Sequence, residues 1–239
     1  MTIARRIHNF LHPKLGCIVM LHRVREKSNN HEPLATNSLT ITPAALEELI
    51  NGYQRKGWRF VSMDDVVGKI PLRSTFGAHN SQSTPFVSLT FDDGFLDTYT
   101  TAYPLLKQLK VPFCVYMTSD FYRGTARPQW DRDAKMINIE QLLEMSSDPL
   151  CTIGAHTCSH PRLSGLTKEE QWREIKECKK DLEQVLGKEV RHLAYPHGDY
   201  NQTTVDIVTE LGFKTAVTTS GRFVRSDSRL MELDRLVTF

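Results

Sequence analysis

Phe86-Val87-Ser88-Leu89-Thr90-Phe91-Asp92-Asp93-Gly94 is the stretch on which the reading of this 239-residue chain turns. An apolar, β-branched run ending in two adjacent carboxylates reads as a buried strand with charges at its tip. Two neighbouring carboxylates resist ionising together unless a cation or a shared proton relieves them. A partner for them stands farther along, in His156-Thr157-Cys158-Ser159-His160. One carboxylate and two imidazoles make an open three-ligand site for a divalent metal. The second carboxylate is then free to act as a base, so the pattern points to a metal-dependent hydrolase.

Outward from this stretch, short apolar runs alternate with helical patterns. Strands are predicted at Cys17–Leu21, Arg59–Ser62, Phe86–Phe91, Phe113–Met117, Cys151–Ala155, Arg191–Tyr195, Lys214–Thr218 and Leu233–Val237. Helices are predicted at Pro43–Lys56, Thr98–Leu109, Ile139–Met145, Lys168–Leu186 and Thr203–Leu211. Thr42 before Pro43 and the Thr167–Glu170 capping box mark helix starts, while Gly57, Gly187 and Gly212 mark stops. Strand–helix alternation predicts an α/β protein with a parallel sheet, open or closed into a barrel. In such a sheet the strand C-termini converge on one face, which brings Asp92, Asp93, His156 and the Tyr195-Pro196-His197-Gly198 turn together. His156 and His160, four apart, are expected on one helical turn with both rings on the same side. Pro71–Pro85 reads as a surface loop, and Tyr122–Asn138 as a long βα connection that walls a cleft.

Composition narrows the function further. Apolar residues at 40% and charged residues at 24% suit a soluble globular chain, read as one catalytic domain over residues 1–239. A net charge of +2 with no basic stripe gives no argument for nucleic acid. The odd count of five cysteines has no paired spacing and reads as buried, reduced thiols. No apolar run has the length of a transmembrane helix, and no secretory signal follows Arg5 and Arg6, so the cytoplasm is the default expectation.

Taken in order, Thr90-Phe91-Asp92-Asp93-Gly94, His156-Thr157-Cys158-Ser159-His160-Pro161 and Tyr195-Pro196-His197-Gly198-Asp199-Tyr200 resemble the polysaccharide deacetylases, family 4 of the carbohydrate esterases. The resemblance spans residues 86–219. It implies a distorted (β/α) barrel of roughly seven parallel strands that removes N-acetyl groups, sometimes O-acetyl groups, from sugar polymers. It also implies one divalent metal: zinc first, with cobalt, nickel or iron as alternatives. Residue by residue, Asp92 matches the catalytic base, and Asp93, His156 and His160 match the metal ligands. The backbone N–H of His197 matches the oxyanion donor. Trp130, Tyr195 and Pro196 are the expected substrate contacts.

Two departures from the family pattern matter. A C-terminal Leu-x-His element, the usual source of the general acid, is missing. Instead Val19-Met20-Leu21-His22-Arg23-Val24 resembles a permuted branch that includes deacetylases of biofilm poly-N-acetylglucosamine, in which a first-strand histidine takes that role. His22 is therefore the expected acid. The arginine that steadies the base is also displaced: Arg191 lies too far upstream of Pro196, and Arg235 is the comparable candidate. Competing readings are a glycan-binding module on the same fold, a deacylase of small non-polymeric substrates, and a non-haem iron oxygenase.

Overall fold

A computed structural model describes residues 13–26, 39–70, 84–131 and 133–237. Its strands are β1 (Lys14–Leu21), β2 (Arg23–Val24), β3 (Thr40–Ile41), β4 (Arg59–Phe60), β5 (Phe86–Phe91), β6 (Phe113–Met117), β7 (Cys151–Ala155), β8 (His192–Ala194), β9 (Thr215–Val217), β10 (Val224–Arg225) and β11 (Arg235–Val237). β1, β5, β6, β7, β8 and β9 lie side by side in that order, each parallel to the next. β11 then runs parallel to β1, while Leu233 just before it bridges Val217 of β9. The sheet thus curls until its two sides meet over the last run of the chain, the distorted parallel barrel that the sequence implies. Among the described residues, β10 is the exception, pairing antiparallel with the start of β1. The two-residue pair β2–β3 stands apart from this sheet.

Side chains alternate across the strands. Val87, Leu89 and Phe91 of β5, with Phe113 and Val115 of β6, join one apolar cluster with the outer helices. Phe86, Cys114, Tyr116, Ile18 and Val217 join a second, inner cluster. Polar groups share that interior: Ser88, Thr90 and Arg235 are all fully buried. The barrel is therefore packed rather than hollow, and its polar residues lead toward one mouth.

The outer helices are α1 (Pro43–Arg55), α2 (Met63–Lys69), α3 (Tyr103–Leu109), α4 (Ser119–Tyr122), α5 (Ile139–Ser147), α6 (Lys168–Leu186) and α7 (Gln202–Glu210). Their starts follow capping chemistry: the side chains of Thr42, Ser62, Asn138, Thr167 and Asn201 each accept a backbone N–H of the first turn. Met63, Val66 and Ile70 plug the inner cluster from the strand N-termini, where Asp64 also meets Arg191 and His192. No helix of the described residues is long and apolar enough to cross a membrane.

Two expectations need adjustment, and a third is untested. Thr98–Leu109 is not one α-helix: Thr98–Ala102 forms a π-turn, and α3 begins at Tyr103. Pro104 explains the break, since it lacks an N–H and crowds the carbonyl four residues earlier. The run at Arg59–Ser62 stops as a strand at Phe60 because Ser62 is the N-cap of α2, a helix the sequence reading did not find. Residues 71–83 of the expected surface loop lie outside the described residues.

Gly16 marks the tightest strand contact. A Cβ built there would lie 2.4 Å from the Phe86 carbonyl oxygen, backbone that cannot swing aside. Gly16→Ala is therefore expected to destabilise the protein by roughly 1–3 kcal/mol, as overpacking does. A thermal melt followed by circular dichroism checks this; an unchanged midpoint would show that β1 and β5 can separate locally at little cost.

Candidate active site at the strand C-termini

Asp92 continues the inward phase of Ser88 and Thr90 and is buried at the barrel mouth. Asp93, one residue on, would face the outer helices if the strand continued. Its left-handed backbone, φ 72°, turns it back toward the mouth instead. Thr157, His160 and His197 also have left-handed φ, and among the described non-glycine residues only Lys110, at the end of α3, shares it. Such conformations cost of order 1–3 kcal/mol each and persist where surrounding contacts impose them. Gly94 follows with φ 78°, and a side chain there would strike Met117 at 2.6 Å. The first motif thus needs its glycine for its left-handed conformation, while a side chain there would also have to displace the end of Met117.

Arg235, fully buried, grips Asp92 with both arms of its guanidinium. Nη1 donates to Oδ1 and Nη2 to Oδ2, each at 2.7 Å. Nη1 also donates to Thr90 Oγ1 and Nε to the Thr218 carbonyl. Burial works to raise the Asp92 pKa, yet Arg235 outweighs it and holds this carboxyl well below the usual range. A folded-state pKa below the unfolded one means that Asp92 contributes stability above about pH 4, lost as pH falls toward the folded value. Of the two arginines considered, Arg235 is the one that meets Asp92. Arg191 pairs with Asp64 near the opposite, N-terminal ends of the strands.

Beside this pair, Asp93 Oδ1 lies 3.5 Å from His156 Nε2 and 3.4 Å from His160 Nε2. It is buried and has no hydrogen-bond partner. Burial and the Asp92 charge push the Asp93 carboxyl well up, while burial pulls both imidazoles down, His160 to about 2. These contacts are too long for good hydrogen bonds. They do match the edge of a tetrahedron, about 3.4 Å, spanned by donors bonding one ion at about 2.0–2.1 Å. His156 Nδ1–H donates to the Ala194 carbonyl at 2.8 Å, which leaves Nε2 as the lone-pair nitrogen facing Asp93. An orphaned buried oxygen among neutral imidazoles is what a divalent ion requires, so these residues fit one.

The loop bearing His160 is not the helical turn expected from the four-residue spacing. Residues 156–162 are irregular, because left-handed backbone at Thr157 and His160 breaks the helical repeat. The two rings still meet, with centroids 4.8 Å apart. Glu174 of α6 holds the loop: its carboxylate accepts the N–H groups of Cys158 and Ser159 and the Ser159 hydroxyl. Sequence reasoning missed Glu174, whose place in an ordinary amphipathic helix gives no sign of this task.

The remaining expected residues divide. His22 directly follows β1, with Nδ1 buried and unpaired, and it feels the charges of Asp92, Arg235 and His156. Burial draws it down to about 4. Trp130 lies against His160 at 4.7 Å between ring centroids, and the exposed His197 ring is 4.5 Å from the same histidine. Tyr195 does not fit a substrate contact. Its side chain is fully buried, stacked on Tyr200, with its hydroxyl donating to the Met231 carbonyl. Pro196 is buried as well and shapes the turn that presents His197.

The family model described as polysaccharide deacetylase matches residues 79–216. The chain belongs to that family. Among solved structures, this family member resembles the Streptococcus pyogenes deacetylase PplD, solved in complex with acetate, at 25% identity and TM-score 0.77 over 93% of this chain and 92% of that one. IcaB from Ammonifex degensii shares the fold at TM-score 0.76, 24% identical over 95% and 92% of the two chains. The poly-beta-1,6-N-acetyl-D-glucosamine N-deacetylase of Staphylococcus aureus (strain MRSA252) is 22% identical over 90% of this chain and 76% of its own length. The YxkH protein of Bacillus subtilis (strain 168) is 29% identical over 63% of this chain, a match that spans half of that protein. The branch suggested by the Met20–Val24 stretch is thus among the relatives.

Two outcomes are expected from the site. His160→Ala should weaken zinc affinity more than about a hundredfold, beyond the usual loss for a supporting residue; unchanged affinity in a competition titration would remove His160 from the ligand set. Arg235→Met should strip Asp92 of its counter-charge, so that burial raises its pKa. The acidic limb of the pH–rate profile should then move to higher pH, and an unmoved limb would show that Asp92 is not the group it reports.

Proposed function

We propose that this polysaccharide deacetylase homologue is a metal-dependent hydrolase that removes N-acetyl groups from an amino-sugar glycan. The observation that carries this reading is the pairing of an arginine-held Asp92 with the unpartnered Asp93 Oδ1 between two imidazole nitrogens. Asp93, His156 and His160 would hold the ion, zinc first in order. A divalent ion held there would lower the pKa of water and polarise a carbonyl oxygen.

The protein's own residues carry the rest. Asp92 stays ionised beside Arg235, and its oxygens keep lone pairs beyond those that Arg235 uses, so it can accept the proton of the attacking water. As the acetyl carbon becomes tetrahedral, negative charge grows on its oxygen. The backbone N–H of His197, held by the Pro196 turn, donates to that charge. His22 gives a proton to the departing amine; burial holds its pKa down to about 4 in the substrate-free protein, so the ring takes up that proton as negative charge grows beside it. Acetate and a free amino sugar result. The similarity to a poly-N-acetylglucosamine N-deacetylase supports an amide rather than an ester as the natural bond.

Acetate release from N-acetylglucosamine oligosaccharides tests the reading. A chelator should abolish it and added zinc restore it; binding without acetate release would instead support a glycan-binding module. Asp92→Asn should keep fold and metal but lose turnover, because an amide cannot accept the proton. His22→Ala separates the acid from the rest of the machinery. An amide needs its leaving nitrogen protonated, whereas an activated aryl ester does not. Amide substrates should lose roughly a hundredfold or more and aryl esters much less; equal losses would reject His22 as the acid.

A further inference from the structure

We propose that Arg23 is a positioning residue: through Asp131 it holds Trp130 in place against the ligand His160, so the wall of the cleft is anchored by the strand end that carries His22. The consequence for substrate rests on the deacetylase reading above.

The connection between α4 and α5 is pinned at both ends by backbone bonds. Near its start, the N–H groups of Thr125 and Ala126 donate to the Asp120 carbonyl. Near its end, Leu96 N–H donates to the Lys135 carbonyl and Ile137 N–H to the Gly94 carbonyl. Between these pins Trp130 packs on His160, with Phe121 and His197 farther off at 6.3 Å. Its indole Nε1 is buried and has no hydrogen-bond partner. The ring thus has no polar anchor of its own. Its neighbour Asp131 supplies one, accepting from Arg23 Nη1 at 2.6 Å.

Arg23 suits this task because it is itself immobilised. Nε donates to Asp97 Oδ2 at 2.7 Å, and Asp97 Oδ1 accepts the Val24 N–H. The guanidinium also lies 4.6 Å from the centre of the Phe95 ring. Its side chain is 8% exposed and that of Asp131 16%, so the pair is shielded from the water that weakens surface ion pairs. A planar fork reaching two carboxylates is a geometry that lysine cannot reproduce. Residues 22 and 23 therefore look in two directions: His22 toward Asp92, and Arg23 toward the loop that covers His160.

Asp131 is the safer target, because altering Arg23 would also strand Asp97. In a Trp58→Phe, Trp172→Phe background Trp130 is the sole tryptophan, and acrylamide quenching reads its exposure. Asp131→Ala should increase quenching several-fold, and Asp131→Asn, which still accepts one bond from Arg23, should restore most of the shielding. With N-acetylglucosamine oligosaccharides, Asp131→Ala should raise KM about tenfold and change kcat much less, the mark of lost binding rather than lost chemistry. Turnover of a small aryl acetate should be nearly unchanged. Unaltered quenching would overturn the clamp. Raised quenching with an unaltered KM would overturn the loop's contact with glycan. A wild-type protein that releases no acetate from any glycan would defeat the functional reading alone, while quenching would still decide whether the clamp exists.

Discussion

The site depends on the buried ion pair between Asp92 and Arg235. Two carboxylates in sequence at a barrel mouth cannot both be charged in a dry interior without compensation. Arg235 supplies one positive charge in a fork that fits Asp92 on both oxygens, and it has no such bonds to Asp93. The two neighbours are driven apart in character, with Asp92 ionised and Asp93 raised well above the usual range. Asp93 is thus the carboxyl that still lacks a counter-charge, which the proposed cation would supply. The cost is burial of a full ion pair, which would bring little stability by itself and is strongly destabilising when one partner is removed.

The pair also ties the barrel to the site. Arg235 comes from β11 and Asp92 directly follows β5, the two strands that flank β1. The barrel can close over the Leu233–Val237 run only if the arginine side chain enters the interior, and there Asp92 compensates its charge. Around this centre the left-handed residues Asp93, Thr157, His160 and His197 bend three separate chain segments toward one point. Packing alone would not favour these conformations. They are held by Glu174 beneath the His160 loop, by the Ala194 carbonyl behind His156, and by Gly94 and Pro196 beside the other two.

Much of this was legible in the sequence because the chemistry is concentrated in short runs. Phe86–Phe91, Phe113–Met117 and Cys151–Ala155 have the strand bounds read from their apolar content alone, since strands buried on both faces leave no ambiguous polar edge. The strand-end placement of Asp92, Asp93 and His156 follows from the same pattern. Other features were hidden because they arise from contacts across long sequence separations. Arg235 could be named only as a candidate beside Arg191, because nothing around it fixes its partner until β11 is placed beside β1. Glu174 and Asp131 sit in ordinary charged segments, and their partners are backbone N–H groups or a distant arginine. The His156–His160 spacing misled in the other direction: it suits a helix, but the rings meet through an irregular loop whose left-handed turns no spacing rule encodes. Tyr195 sits in a motif turn expected to touch substrate, yet its ring is part of the core.

The central claim is that one divalent ion belongs among Asp93, His156 and His160, with Asp92 left free beside it. Anomalous diffraction from crystals of the zinc-loaded protein addresses this directly, because it locates the ion without reference to activity. The expected result is a single site within bonding distance of Asp93 Oδ1 and of the Nε2 atoms of both histidines, with Asp92 still paired to Arg235. A zinc ion bound through Asp92, or one found only elsewhere on the protein, would contradict the account.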